Sequence, residues 1–511
     1  MLYNNVLLEP LLNLKNSNSQ FVVLEKNFKK LTAGELFDKS KNLAATLSKM
    51  NFKKGDVALL AIMPGKEFLI IFYSLIMLRA KIAIIDNEMG KDNYESKMKQ
   101  LDPKWLFADS RLLFLSKFPA LRKITDYFKK NLPKLYLNGA IQIVGVGGFF
   151  PFCNIKFTLK KLLSSSNPSA ILVDDNNSYE NIIIYTSGTL SIPKGVVHTD
   201  ISLQATLKSL EKLFYKDKSV ILAAYLPHFL LLGIACGFSV KLINPTLSAS
   251  QKLTWFDSKK ITVYFGTPHE YLPLINYCEH KRIKFPDTLQ HLIIGSAPVQ
   301  KNFLKKLVAV LPAHTKITCT YGMTEHLITA TADGRKKVLY IGKGDLLGCI
   351  ADGVKIKISE AGEILIKSDQ LFSRYLHEQT GSPWHSSGDL GLIDEDGNLV
   401  LFGRKKDMII RRDFNIYPAL YEDTIKRIPG INEAALIGVY DEKVFDEKVY
   451  LVLETSLNDM AAIQKKLKTG ANSIDTAALP DTIVKMNIPR CGRHQKIDRL
   501  SISKLLQKQF H

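Results

Sequence analysis

Segments with the two-residue period of a strand and segments with the 3.6-residue period of a helix take turns along this chain as far as about Ala351, and that alternation narrows the fold more than any other feature. After Thr32, which can cap a helix, Glu35 to Met50 reads as an amphipathic helix, and Asp56 to Met63 (DVALLAIM) reads as a buried strand. Glu67 to Leu78 is helical and Lys81 to Ile85 is again a strand. Ile182 to Tyr185, Thr262 to Phe265 and His291 to Ile294 repeat the theme, each followed by glycine or proline and then a helical stretch. Strands that are apolar throughout are buried on both faces, so the pattern predicts an α/β fold of helix-covered, mainly parallel sheets. No repeat or low-complexity tract points to a solenoid or an array.

Beyond Ala351 the texture changes. VKIKIS, GEILIKS and GLIDEDGNLVLFGR are short strands joined by turns, with Asp396-Gly397 as a hairpin signal, and they predict a small antiparallel β subdomain. After Lys405-Lys406-Asp407 the chain resumes with a helix near Pro418 to Arg427 and a strand from Glu433 to Val439. A chain of 511 residues is too long for one core. We therefore expect a large domain over residues 1–404 and a small α+β carboxy-terminal domain over residues 405–511.

Charge and cysteines narrow the function classes. The net charge of +20, from 69 Lys+Arg against 49 Asp+Glu, comes from scattered lysines with no aromatic-interleaved basic stripe, so no nucleic-acid partner is expected, while a phosphorylated ligand would profit from the field. The six cysteines lie far apart without a CxxC pair, which speaks against a zinc site or a disulfide framework and for a reducing cytoplasm. The start, MLYNNVLLEPLLNLKNSNSQ, lacks the basic residues and small-residue cleavage site of a signal peptide. Val220 to Val240 is apolar and long enough to span a bilayer, but Pro227, His228, Gly233 and Gly237 suit a strand, a turn and a core helix. Leu135 to Cys153 follows a basic run and is read as a strand and loop of a sheet, with peripheral contact to anionic lipid as the most a membrane would receive.

The chemistry concentrates in IIIYTSGTLSIPKGVV, Ile182 to Val197. A β-branched strand leads into Thr186, Ser187, Gly188 and Thr189, and Lys194-Gly195 follow. Small hydroxyls and glycine let backbone N–H groups close on phosphate oxygens, and the lysine adds positive charge; the spacing is not that of a Walker loop. This stretch resembles the phosphate loop of the adenylate-forming superfamily of acyl-CoA synthetases, fatty-acyl ligases and peptide-synthetase adenylation domains. Tyr321-Gly322-Met323-Thr324-Glu325 is similar to that family's YGxTE, Ser387-Gly388-Asp389 with Gly403-Arg404 to its TGD and GR pair, and Pro489-Arg490 with Lys496-Ile497-Asp498-Arg499 to its closing PRxxxGKIxR. The likeness runs from about Thr32 to Leu506.

The resemblance implies roles. ATP would be held by Thr186, Ser187, Gly188, Thr189, Lys194, Tyr321, Gly322, Thr324, Asp389 and Arg404, with Tyr321 on adenine and Asp389 on the ribose; Glu325 would hold Mg²⁺; and Thr186, Glu325 and Lys496 would be catalytic, Lys496 bridging carboxylate and α-phosphate. Attack of a carboxylate on the α-phosphate gathers negative charge, so a lysine, a metal and a donor loop should converge there. Lys406 would be the hinge of a mobile small domain. Leu230, within Phe229 to Leu232, and Gly295, Ser296 and Ala297, within Leu292 to Ala297, would line an apolar slot for a hydrophobic, fatty acid. The resemblance also implies CoA or an acyl carrier thiol as the acceptor.

Departures from the family pattern temper the second step. Leu190 and Ser191 replace a hydroxyl and a glycine, Gln495 stands where a glycine is usual, and Arg411-Arg412-Asp413 replaces a glycine-bearing stretch beside the pantetheine arm, so that Asp413 would block CoA or the arginines would grip its phosphates. Leu230 stands at the family's frequent histidine. The β-lactone synthetases, which cyclise a β-hydroxy acid through its adenylate, are similar at Ile85 to Lys91, Phe265 to Pro268, Trp384-His385 and Arg493-His494. A degenerate adenylate-binding protein is the third reading.

Overall fold

The computed structural model describes residues 5, 7–27, 29–84, 91–117, 141–148, 156–164, 179–185, 194–213, 220–379, 382–411, 414–441, 446–469, 472–491 and 495–510. Two sheets dominate. One has eight strands, and its parallel part runs Glu180–Tyr185, Lys81–Ile84, Val57–Ala61, Trp105–Asp109, Gln142–Val146, Phe157–Thr158. At the other edge Gly195–Thr199 and then Arg374–Tyr375 pair antiparallel. The second sheet has 13 strands, in which Val22–Lys26, Ser239–Leu242, Ile221–Ala224, Val263–Gly266, His291–Ile294 and Lys316–Met323 are parallel neighbours.

The helices form where the patterns place them. Ala33–Lys49 starts at a full capping box, the Thr32 hydroxyl accepting from the Glu35 N–H at 3.2 Å and the Glu35 carboxylate from the Thr32 N–H at 3.3 Å. Lys66–Met77 is buried at every position from Phe68 to Met77, as expected of a helix that is apolar all round, and packs in the main core with Leu60, Ile82 and Phe107. The long apolar stretch divides into Ile221–Ala224, the helix Pro227–Ala235 and Ser239–Leu242, and among the described residues no helix is long and apolar enough to cross a membrane. Of Leu135 to Cys153, residues 141–148 are described and contain the strand Gln142–Val146.

The small antiparallel part is present, and it continues the second sheet: His326–Asp333 pairs antiparallel with Lys316–Met323, and Asp345–Ile350, Asn398–Arg404, His385–Ile393, Glu363–Lys367 and Lys355–Ile358 extend the same 13-stranded sheet outward. The hairpin from Tyr321 joins the two parts, and sequence pattern alone gives no signal for such a seam.

Past the 3-10 turn Lys405–Asp407 the chain builds cores of its own. Ile431–Asp441 and Asp446–Thr455 pair antiparallel, and alternate residues serve opposite faces. Leu436 and Leu451 pack with Ile425 and Ile463, while Ile437 and Val452 pack with Ile502 and Leu506 of the helix Arg499–Phe510. Against the rest of the molecule, Tyr417 lies 6.0 Å from the Phe402 ring and Asp475 meets Lys343 at 3.2 Å.

Candidate active site

The YGMTE stretch is a hairpin. Met323 pairs with His326, which leaves Thr324 and Glu325 as a two-residue tip, and the register slips between Tyr321 and Met323. Gly322 occupies that slip, where a Cβ would collide with the Leu327 carbonyl. The tip is tied from three sides. His198 Nε2 lies 2.8 Å from the Thr324 carbonyl, the Phe372 N–H donates to the Glu325 carbonyl at 2.9 Å, and the Tyr375 hydroxyl donates to Glu325 Oε1 at 2.9 Å. A carbonyl can only accept, so His198 carries its proton on Nε2, and burial holds its pKa below the usual histidine range, keeping it neutral. His326 beside it is fully buried, and burial pushes its pKa down to about 4.

Beneath the hairpin lies Asp389, 2% exposed. Asp389 and Arg404 are cross-strand partners, Arg404 Nε reaching Oδ1 at 2.8 Å, while the Tyr321 hydroxyl donates to Oδ2 at 2.6 Å. The Asp389 N–H donates to the Ser387 hydroxyl at 3.0 Å. Burial raises the pKa of Asp389, against the pull of Arg404, Tyr321 and Lys496; burial, then the facing carboxylate, drives the Tyr321 phenol well above its ordinary value. Lys496 thus comes from the carboxy-terminal cores into the field of Asp389 and Arg404. Its side chain keeps solvent contact, yet crowding around the ammonium, and then Arg404, lower its pKa. It is held by a short ribbon in which Lys496 pairs with Cys491. Gln495 before it has φ 50°, the left-handed region that its glycine counterpart would adopt without penalty, at a cost of about 1 kcal/mol.

Thr186, Ser187, Gly188 and Thr189, with Leu190 and Ser191, lie outside the described residues. Of their neighbours, the strands Glu180–Tyr185 and Gly195–Thr199 are described, and Tyr185 pairs with Gly195. Lys194, just before Gly195, has its ammonium 4.3 Å from the Tyr375 ring centroid and 3.4 Å from Glu378.

Gly295, Ser296 and Ala297 follow the strand His291–Ile294 directly. Gly295 is buried so tightly against the Thr320 side chain that a Cβ would collide with its hydroxyl, and the same Cβ would lie 3.6 Å from Phe265. Ser296 is exposed with φ 62°, and Ala297 is half-buried. The Phe229 and Phe265 rings pack 4.2 Å apart at a 36° tilt, which links the helix Pro227–Ala235 to this corner. Leu230 differs from the other three: it is 0% exposed and packs in the main core, so its side chain lines no open surface here.

Comparison with known proteins turns this geometry into a classification. Residues 14–376 match the family model described as AMP-binding enzyme. The chain belongs to the AMP-binding enzyme family. It is 28% identical over 307 residues to the long-chain-fatty-acid–CoA ligase FadD13 of Mycobacterium tuberculosis, an alignment covering 55% of this chain and 58% of that protein. The fold is that of o-succinylbenzoate CoA synthetase from Bacillus subtilis in complex with its acyl-adenylate intermediate, with TM-score 0.76, 19% identity, and 96% and 97% of the two chains covered. It is also that of ATP-bound MatB from Rhodopseudomonas palustris, with TM-score 0.78, 18% identity, and 99% and 100% covered.

In this AMP-binding enzyme several polar residues of the carboxy-terminal region are structural. Arg411 donates to the Ala477 and Leu479 carbonyls at 3.2 and 2.8 Å and to Asp481, so it is not free to grip CoA phosphates, contrary to one sequence expectation; Arg412 and Asp413 lie outside the described residues. Arg490 forks onto Glu454 at 2.9 and 3.0 Å, and Arg499 donates from Nη2 to both Glu422 oxygens at 2.8 and 2.7 Å. Lys406 is exposed in the 3-10 turn, and Lys405 beside it holds Glu363 at 2.8 Å. None of the details shared with β-lactone synthetases singles out that branch. Residues 85–90 and 492–494 are outside the described set, Phe265 packs against Phe229, and His385 packs edge-on to Phe372 at 5.1 Å. Sequence reasoning missed Tyr375 and His198. No motif marks either, because strand pairing, rather than spacing along the chain, brings them to the hairpin.

Proposed function

We propose that this AMP-binding enzyme is an adenylate-forming ligase that activates a hydrophobic, fatty carboxylic acid with MgATP and passes the acyl group to CoA. The observation that carries the reading is convergence: Lys496 from the carboxy-terminal cores shares the field of Asp389 and Arg404, while Lys194 and Glu325 meet at the two sides of Tyr375. In the first step a carboxylate oxygen attacks the α-phosphorus, forming the acyl-phosphate bond as the bond to the β-phosphate oxygen breaks and pyrophosphate leaves. Lys496 is the cation that meets the incoming carboxylate, and Lys194 with the Thr186 to Thr189 loop receives the phosphates. Asp389 is held as a ribose acceptor by Arg404 and Tyr321. In the second step the thiol sulfur attacks the acyl carbonyl and AMP departs.

A metal site built on Glu325 suits magnesium. Among the described residues no group of three or more His, Cys, Asp or Glu side chains is placed to hold a metal, whereas Mg²⁺ takes one or two carboxylates and completes its shell with phosphate oxygens and water. Bound there, it would neutralise charge on the departing pyrophosphate. The acid slot lies at Gly295 to Ala297 beside Thr320, with Phe229 and Phe265 supplying its apolar wall. The ligase names of relatives such as FadD13 support the acid class and CoA as acceptor. The joint between the two parts is the turn Lys405–Asp407, with residues 1–404 and 405–511 as the domains.

Replacing Lys496 by alanine tests the reading. Acid-dependent pyrophosphate release should fall by about 100-fold or more, with ATP affinity changed less than a few-fold, because the lysine acts on the transferring group and not on the nucleotide. Wild-type release by the variant would remove Lys496 from the chemistry.

A further inference from the structure

We propose that Tyr375 is a positioning residue that sets the metal carboxylate and the phosphate lysine at a fixed separation. The inference rests on the reading of Glu325 as the carboxylate that holds Mg²⁺. Tyr375 uses its two ends separately: its hydroxyl donates to Glu325 Oε1 at 2.9 Å, and its ring faces the Lys194 ammonium at 4.3 Å. Glu325 belongs to the 13-stranded sheet and Lys194 to the loop leaving the 8-stranded one, so a single side chain spans the seam between them.

The tyrosine is itself fixed from behind. It pairs with Val196, Arg374 pairs with Val197, and the Ser373 and Leu376 N–H groups donate to the Val197 and Gly195 carbonyls at 2.8 and 2.7 Å. Arg374 is anchored in turn on Glu180 at 2.6 Å, a carboxylate that Lys81 also holds at 2.6 Å. Two residues before Arg374, the Phe372 N–H donates to the Glu325 carbonyl. Segment 372–376 therefore copies the position of the phosphate-loop strand onto the hairpin tip.

Two substitutions separate the two ends. Tyr375→Phe deletes the hydroxyl and keeps the ring, so the free Mg²⁺ needed for half-maximal pyrophosphate release should rise about five-fold, with the KM for ATP and for the acid within about two-fold of wild type. Tyr375→Leu also removes the face under Lys194, and the KM for ATP should then rise several-fold as well. Glu325→Gln, measured alongside, should raise the Mg²⁺ requirement on its own. If Glu325→Gln changes the requirement and Tyr375→Phe does not, the positioning role is wrong and the metal reading stands. If Glu325→Gln leaves the requirement unchanged, the metal reading itself is wrong. An ATP KM in Tyr375→Leu equal to that in Tyr375→Phe would overturn the link to Lys194.

Discussion

At the scale of residues, the site depends on polar groups whose partners are scarce. Asp389 is almost wholly buried and has a donor on each oxygen, Arg404 on one and Tyr321 on the other. Taking away the phenol in Tyr321→Phe leaves one oxygen with no strong donor, which costs about 1 to 3 kcal/mol. Stability to urea should drop by that amount and the KM for ATP should rise several-fold, with kcat at saturating ATP largely kept. An unchanged midpoint and KM would mean that water replaces the hydroxyl. The surface pair of Lys343 and Asp475 is a contrast. Both side chains are more than half exposed, so Lys343→Ala should move stability and pyrophosphate release by less than about 0.5 kcal/mol equivalent, despite its place between the two sets of cores. The residues we propose for the nucleotide site, Tyr321, Glu325, Asp389, Arg404 and Lys496, are legible in the sequence as motifs. Tyr375 and His198 are not, because what places them is cross-strand register.

The element that matters most is the hairpin Lys316–Met323 to His326–Asp333, because it carries Glu325, the carboxylate we propose for the metal, and also welds the parallel and antiparallel parts of the large sheet. Its tight slip at Gly322 leaves no room for a methyl group against the Leu327 backbone. Gly322→Ala should therefore destabilise the protein by about 3 kcal/mol or more, in the range of overpacked backbone positions, and a lowered melting temperature should come with a raised Mg²⁺ requirement. A melting temperature equal to wild type would show that the slip relaxes. Strand and helix periods in the sequence located a number of the elements around the hairpin, from the capped helix at Ala33 to the strand His291–Ile294, but not Trp105–Asp109 or Ala249–Ser258. They could not show that the strands after Ala351 would join the same sheet. A two-residue period says which face is buried and nothing about which edge a strand will find.

Over the whole molecule, buried neutral histidines couple folding to pH. His291, bonded to the Thr318 hydroxyl at 2.8 Å, and His326 both have pKa values pushed down to about 4 by burial, against about 6.5 in an unfolded chain. Below 6.5 the unfolded chain takes up protons that the native state refuses, so this stability is complete above pH 6.5 and is lost as pH falls toward 4. Urea midpoints at pH 7 and 5 should show wild type losing more stability than His291→Asn; equal losses would contradict the assignment to His291. We propose that the two separately cored parts close around one adenylation site. Mass spectrometry of the products from a panel of acids with MgATP, with and without CoA, decides whether adenylation occurs there. Acid-dependent pyrophosphate and an acyl-adenylate without CoA, converted to acyl-CoA and AMP when CoA is added, is the predicted result; ATP left intact with every acid would contradict it.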